Sequence, residues 1–292
     1  RFCSEVPQVV MWDDHEVVNN WSPSLDLQRD QRYRIKDLKM LAATAARAFR
    51  EYSPMPLEGF DEAGALYRRV SYGPQLDLFV LDMQTYRGPN SHNLQAEAGD
   101  DTAFLGRAQI EWLKKELLAS TAQWKVIAAG MPIGINVADG HDAQGRVKWQ
   151  GVANGDDGAP KGREIELADL LSFIKRHAIH NMVWLCADVH YTAAHYFDPA
   201  QAAYPDFLPF WEFVSGPLHA GSYGPFGADA TFGVQVRYSR ASPVRGASPA
   251  AGFQFFGEVA IDPDSGCLTV QLCDVSGSVL HTEVIAPHPP CV

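Results

Sequence analysis

The sequence predicts an α/β fold, and three observations predict it. Short apolar runs alternate with Ala- and Leu-rich stretches of helical period, which is strand and helix punctuation. Several apolar runs empty directly into clusters of Asp, His, Asn, Gly and Pro, the composition of strand-to-loop junctions. The last part of the chain changes to short alternating segments separated by Asp, Ser and Gly turns, a β-meander over about residues 253–285. With 292 residues, 46% apolar and 11% aromatic, the chain can bury a large core and has no disordered bias. It is read as one domain across residues 1–292.

Residues 6–12 open as an apolar run with Pro7 near its start, an expected strand. Residues 32–52 contain no Gly or Pro, are rich in Ala, Leu, Lys and Arg, and stop before Pro54, so they read as a helix lying outside the sheet. Residues 76–81 form a strand broken only by Asp77, leading into Asp82, Tyr86, Arg87, Gly88 and Pro89. Ile110, Leu113 and Leu117 place a helix over residues 104–119, and residues 124–129 read as the next strand. From 136 to 162 the composition turns to Gly, Asp, Asn and Pro, a long irregular segment of the kind that carries function. Ile165, Ala168, Leu171 and Ile174 lie on one side of a helix over Glu164–Arg176. Met182–Cys186 is the strand that delivers Asp188 and His190, and Phe210–Val214 leads into Ser215-Gly216-Pro217-Leu218-His219.

Composition excludes several classes. No stretch approaches the ~20 apolar residues of a membrane span, and a formal charge of -11 argues against a nucleic-acid scaffold role. The same charge would repel a phosphate substrate unless cations or local Arg residues reverse the field. The five cysteines show no CxxC or ribbon spacing, so zinc-finger readings fall away. Cys267 and Cys273 on one strand would stand ~20 Å apart, against ~6 Å for a disulfide, and should not pair. Cys186 reads as an inert core thiol, and Cys3 and Cys291 could pair only if the chain ends meet.

Two strings carry the chemistry: Trp12-Asp13-Asp14-His15-Glu16-Val17-Val18-Asn19-Asn20 and Ala187-Asp188-Val189-His190. Polar groups packed this closely at the ends of apolar runs are costly to desolvate unless they hold metal ions or react. Taken singly, each string has a plain alternative: Asp13 and Asp14 could cap a turn, and an Asp-Xaa-His pair could be a loop hydrogen bond. Two such clusters at two strand ends of one α/β chain favour a composite site, and a metal-dependent hydrolase is the leading reading. Hydrolysing a phosphate ester requires a nucleophile such as a metal-activated hydroxide, neutralisation of the phosphoryl oxygens and a proton for the leaving group. Asp14, Asp188 and His190 have suitable donor atoms for metals, His15 could donate the proton, and Arg87 could clamp a phosphate. Tyr191, His195 and Tyr196 read as packing or supporting residues, and His92 and His219 sit on loops expected to face the site.

The chain resembles the alkaline phosphatase D (PhoD-like) metallophosphoesterases. The resemblance rests on the first string, on Leu81-Asp82-Met83-Gln84-Thr85-Tyr86-Arg87-Gly88, on Asn154-Gly155-Asp156, on Ala187-Asp188-Val189-His190 and on Glu212-Phe213-Val214-Ser215-Gly216-Pro217. It implies a calcineurin-like four-layer αββα sandwich, two facing mixed β-sheets flanked by helices, with the metal centre at one edge. It also implies phosphomonoesterase or phosphodiesterase activity on a small phosphate ester with iron and calcium, and export from the cytoplasm. By analogy with the superfamily's Gly-Asn-His-Asp/Glu motif, Asp14 falls at the metal-binding Asn and His15 at the proton-donating His. Asp188 and His190 fall at the closing pair of metal ligands. Asn20 is a weaker carry-over as a ligand or site-lining residue, Asp13 is weaker still, and Arg87 and His219 are the substrate-binding candidates. Gln84 stands where relatives carry an Arg, and His219 where they carry an Asn. The family's upstream Gly-Asp-Tyr-type motif and metal-binding Cys are not found, so the chain is expected to lack its N-terminal part; Cys3, just before the Asp-Asp-His string, is not assigned to a metal. The alternative reading is a catalytically inactive remnant with an incomplete metal site, acting as a binding protein.

Overall fold

The computed structural model describes residues 2–53 and 65–288. In chain order the elements are α1 (Phe2–Glu5), α2 (Leu38–Tyr52), β1 (Arg68–Tyr72), β2 (Leu76–Val80), α3 (Arg107–Ala119), β3 (Trp124–Ala128), β4 (Ala138–His141), β5 (Val147–Trp149) and α4 (Glu164–Arg176). They continue with β6 (Met182–Cys186), β7 (Thr192–Phe197), β8 (Phe210–Val214), β9 (Val234–Arg240), β10 (Phe255–Ile261), β11 (Leu268–Asp274) and β12 (Val279–Ile285). Seven strands form one mixed sheet in the order β1-β2-β3-β6-β8-β7-β9, and β10-β11-β12 form an antiparallel second sheet. The central strands β2, β3, β6 and β8 are mutually parallel, so their C-terminal ends share one edge.

Side-chain alternation explains the layering. In β6, Trp184 packs into the larger core with α3 and α4, while its neighbour Val183 points to the other face and meets Leu268, Val270 and Leu272 of β11. Leu113 and Leu117 of α3 and Leu170, Leu171 and Ile174 of α4 cover the first face. The two facing sheets with flanking helices agree with the expected α/β class. The outward side of β12 is open to solvent, with Val284 64% exposed. Among the described residues no helix is long and apolar enough to cross a membrane.

A third, smaller core sets the first candidate string in place. Trp12, Val18, Trp21, Leu27, Leu38 and Leu66 pack with the apolar side of α2, and the Trp12 ring meets Trp21 and Phe49 edge-on at 5.9 and 5.7 Å. Fully burying a large apolar side chain contributes ~2 kcal/mol, so this cluster can hold the 12–21 segment without strand pairing. Here the structure corrects the sequence reading. Residues 6–12 form no strand, because no described strand pairs with them and Val6 and Val9 are 43% and 50% exposed; Arg68 Nη2 instead donates to the Val10 carbonyl at 2.5 Å. Helix α2 begins at Leu38 rather than Arg32, because Asp37 caps it by accepting the Met40 N–H at 3.0 Å. Pro54, the expected stop, lies outside the described residues.

The irregular 136–162 segment contains the β4–β5 hairpin, which rejoins the rest of the chain through a Ser91–Trp149 bridge. Strands β1, β7 and β9 add to the expected set. Cys186 and Cys273 are buried free thiols and Cys267 is free, as expected for that pair; the Cys3 side chain and Cys291 lie outside what is described.

Candidate metal centre

Three carboxylates converge at the C-terminal edge of the parallel strands. One oxygen from each of Asp13, Asp14 and Asp188 lies within 4.8 Å of the others. Asp13 and Asp14 open a turn beyond Trp12, closed by Val17 N–H on the Asp14 carbonyl at 2.9 Å and by Asp13 N–H on Glu16 Oε2 at 2.7 Å. Asp188 follows β6, where Ala187 N–H reaches the Gly130 carbonyl at 3.1 Å beyond the end of β3. A Cβ on Gly130 would lie 3.0 Å from Asp13 Oδ1, so glycine permits this approach. Asn20, Asp188 and His190 all have left-handed backbone, with φ of 53°, 60° and 60°. Each such residue stores about 1 kcal/mol of strain, and three of them stand around this one cluster, which makes it the candidate site.

The electrostatics agree. Burial, and then the neighbouring Asp14 charge, raise the Asp13 carboxyl to about 6, with the Gln84 hydrogen bond pulling the other way. Asp188 is pushed well above the usual carboxylate range, first by burial and then by Asp13 and Asp14, while Arg87 opposes the rise. Carboxylates crowded into a partly dry site resist ionisation until a cation joins them, and oxygen donors of this kind suit hard cations. The donor set therefore fits a metal.

The other predicted residues occupy distinct positions. His190 stands outside the three-carboxylate group; its Nδ1 donates to the Gly221 carbonyl at 2.6 Å, so the neutral ring carries its lone pair on Nε2. His15 is exposed, its Nε2 4.0 Å from Asp14 Oδ1. Asn20 supports Asp14 through its backbone, with N–H on Asp14 Oδ2 at 2.6 Å, and its side-chain Nδ2 donates to Asp139 Oδ1 at 2.7 Å. Arg87 is buried and already engaged: Nη1 donates to Gln84 Oε1 at 3.1 Å, and Nη2 to Asn90 Oδ1 at 2.5 Å and to the Gln150 carbonyl. Burial lowers its guanidinium to about 10, against the attraction of Asp188, Asp13, Asp14 and Asp139. His219 is exposed on the loop after β8.

Gln84, noted in the sequence only as a departure from relatives, and several residues that sequence reasoning passed over complete the surroundings. Gln84 Nε2 donates to Asp13 Oδ1 at 2.8 Å, the Gln150 side chain hydrogen-bonds Asp188, and Asn90 Nδ2 donates to Asp139 Oδ2 at 2.9 Å. Arg163 lies fully buried behind them, donating to the carbonyls of Gly88, Pro89 and Gln150 and to Asn90 Oδ1. Position after a strand was the available signal for Gln84 and Asn90; nothing local marks Asp139 or Arg163. His195 supports the sheet interior, with Nδ1 2.8 Å from Glu212 Oε1. A cavity of about 440 Å³ opens beside Trp124, Met182 and Phe210, at the other ends of β3, β6 and β8. At ~3.3 Å per residue, the length of β6 separates it from Asp188 by ~20 Å, so it is no part of this centre.

The model of the PhoD-like phosphatase family matches residues 1–272. The chain belongs to that family. It is 29% identical over 197 residues to alkaline phosphatase D of Bacillus subtilis (strain 168), an alignment covering 63% of this chain and 31% of that protein. A solved structure titled "Structure of PhoD" superposes with a TM-score of 0.58 at 21% identity, covering 97% of this chain and 55% of the other. The likeness to that structure concerns the fold, and the chain spans about a third to a half of the length of the relatives it matches.

Proposed function

We propose that the chain hydrolyses phosphate esters at the Asp13–Asp14–Asp188 centre, with cations held by those carboxylates and by His190. The convergence of three carboxylate oxygens within 4.8 Å, on a chain of charge -11, carries this reading. Family membership supports it, and supports an exported location as well. The carboxylates suit calcium and the free His190 Nε2 suits iron, so the donor set accords with an iron and calcium centre. Bound cations would neutralise the phosphoryl oxygens and lower the pKa of water at the site.

The chain's own residues would do the rest. His15, exposed beside Asp14, would hold the proton passed to the leaving-group oxygen. Arg87, buried with Nη1 on Gln84 and Nη2 on Asn90 and the Gln150 carbonyl, would act mainly through its charge. His219 on its exposed loop would meet the non-reacting part of the ester, and Asn20 would orient Asp14. Metal content by mass spectrometry, measured with hydrolysis of p-nitrophenyl phosphate and bis-p-nitrophenyl phosphate, tests the proposal. Bound iron or calcium with turnover lost on chelation is expected; no bound metal and no turnover of either ester would replace it with the inactive-remnant reading.

A further inference from the structure

The hydrogen bonds around the carboxylates close into a ring. Gln84 Nε2 donates to Asp13 Oδ1 at 2.8 Å, and Arg87 Nη1 donates to Gln84 Oε1 at 3.1 Å. Arg87 Nη2 donates to Asn90 Oδ1 at 2.5 Å, and Asn90 Nδ2 donates to Asp139 Oδ2 at 2.9 Å. Asp139 Oδ1 accepts from Asn20 Nδ2 at 2.7 Å, and Asn20 N–H reaches Asp14 Oδ2 at 2.6 Å. The path leaves one acidic residue and returns to its sequence neighbour through three segments of chain, around residues 13–20, 84–90 and 139. Asp139 alone among these comes from the β4–β5 hairpin, 119 residues from Asn20 and 49 from Asn90 in sequence.

We infer that Asp139 is a positioning residue that closes this ring and thereby fixes the relative orientation of the Asp13 and Asp14 carboxylates. The inference rests on reading those carboxylates as a cation site. Repulsion between the carboxylates would spread them, and each hydrogen bond in the ring opposes that. Asn90 cannot turn its amide, because its Oδ1 already accepts from Arg87 and from Arg163 at 3.0 Å, so Asp139 must offer it an acceptor. Asn20 carries no such second side-chain bond and can turn. The bland role, anchoring the hairpin, predicts a different pattern: Lys148 Nζ, 3.6 Å from Asp139 Oδ2, ties the same carboxylate within the hairpin without entering the ring.

The test is titration of the metal-free protein with Mn²⁺ by calorimetry, alongside melting curves. Asp139→Ala is expected to weaken Mn²⁺ binding ~10- to 100-fold, the usual effect of losing an outer-shell partner. Asp139→Asn should stay within ~3-fold of wild type, because Asn20 can flip its amide and accept from the new side chain. Lys148→Ala should leave binding unchanged. Wild-type Mn²⁺ affinity in Asp139→Ala, or equal losses in the alanine and asparagine variants, would overturn the ring. Should Asp139→Ala not fold, Asp139→Ser replaces it: its hydroxyl oxygen stands where the Asp139 Cγ does, one bond short of both acceptor positions, so it cannot span Asn20 and Asn90, the ring opens and the same loss is expected. No Mn²⁺ binding by the wild-type protein would defeat the cation-site reading itself, which separates the two failures.

Discussion

Asp188→Asn is expected to abolish hydrolysis and cation binding while leaving the metal-free protein as stable as wild type or more so. Asparagine tolerates the left-handed backbone that Asp188 adopts at φ 60°, so the turn after β6 survives the substitution. The charge does not survive it. Cation stabilisation of a developing phosphoryl charge contributes several kcal/mol, so its loss corresponds to ~10³-fold or more in rate. The stability effect has the opposite sign because Asp188 is held well above the carboxylate range by burial and by Asp13 and Asp14. A carboxyl with a raised folded pKa lowers stability as pH climbs above its unfolded value, and asparagine removes that penalty. Turnover of p-nitrophenyl phosphate, Mn²⁺ titration and chemical unfolding at pH 8 measure the three parts. Wild-type turnover in this variant would remove Asp188 from the centre, and a large loss of metal-free stability would assign the residue a structural role instead.

The reach of the sequence follows from what its signals record. Helices α3 and α4 and strands β2, β3, β6 and β8 announce themselves because each is buried on a regular face, so apolar period and position coincide. Strands β1 and β9 lie at the sheet edges with half-exposed or exposed side chains, and β7 reads Thr-Ala-Ala-His-Tyr-Phe, where buried small and polar residues break the expected pattern. The reverse error occurs at residues 6–12, where an apolar run without a neighbouring strand stays irregular. At the candidate site, the Asp14 and Asp188 carboxylates that the structure brings together are legible because each sits in a dense polar string. Asp13, a weaker candidate in the same string, gains its place through the approach of Gly130, and Asp139 only through two asparagines distant in sequence. Such long-range pairings leave no local trace in a single sequence.

Glu164→Gln is expected to remove one separable share of the loss of stability that the wild-type protein should suffer as pH rises. Glu164 is the first residue of α4 and is 1% exposed; its Oε2 accepts from Asn154 Nδ2 at 2.7 Å and from Lys161 N–H at 3.1 Å. These bonds fasten the Asn154-Gly155-Asp156 loop, which Asp229 Oδ2 also holds through Gly155 N–H at 2.9 Å. Burial, and then the charge of Asp229, raise the Glu164 carboxyl from 4.5 to about 9. Below about pH 4.5 the group is protonated in folded and unfolded chains alike and stability does not depend on it. Between those values the unfolded chain releases the proton and the folded one keeps it, so stability falls with rising pH and levels off above 9. At ~1.4 kcal/mol per unit of difference the loss is of order 6 kcal/mol. Glutamine has nearly the shape and donor pattern of the protonated acid, so near pH 5 the two proteins should unfold at similar denaturant concentrations. By pH 9 the variant should be the more stable. Asp13, raised to about 6, and Asp188, also raised, titrate with the same sign in both proteins, so their difference isolates Glu164. Urea unfolding at pH 5, 7 and 9 reads that difference directly. Parallel curves at all three values would mean that Glu164 ionises in place, with the Asn154 and Lys161 donors sufficient to hold its charge.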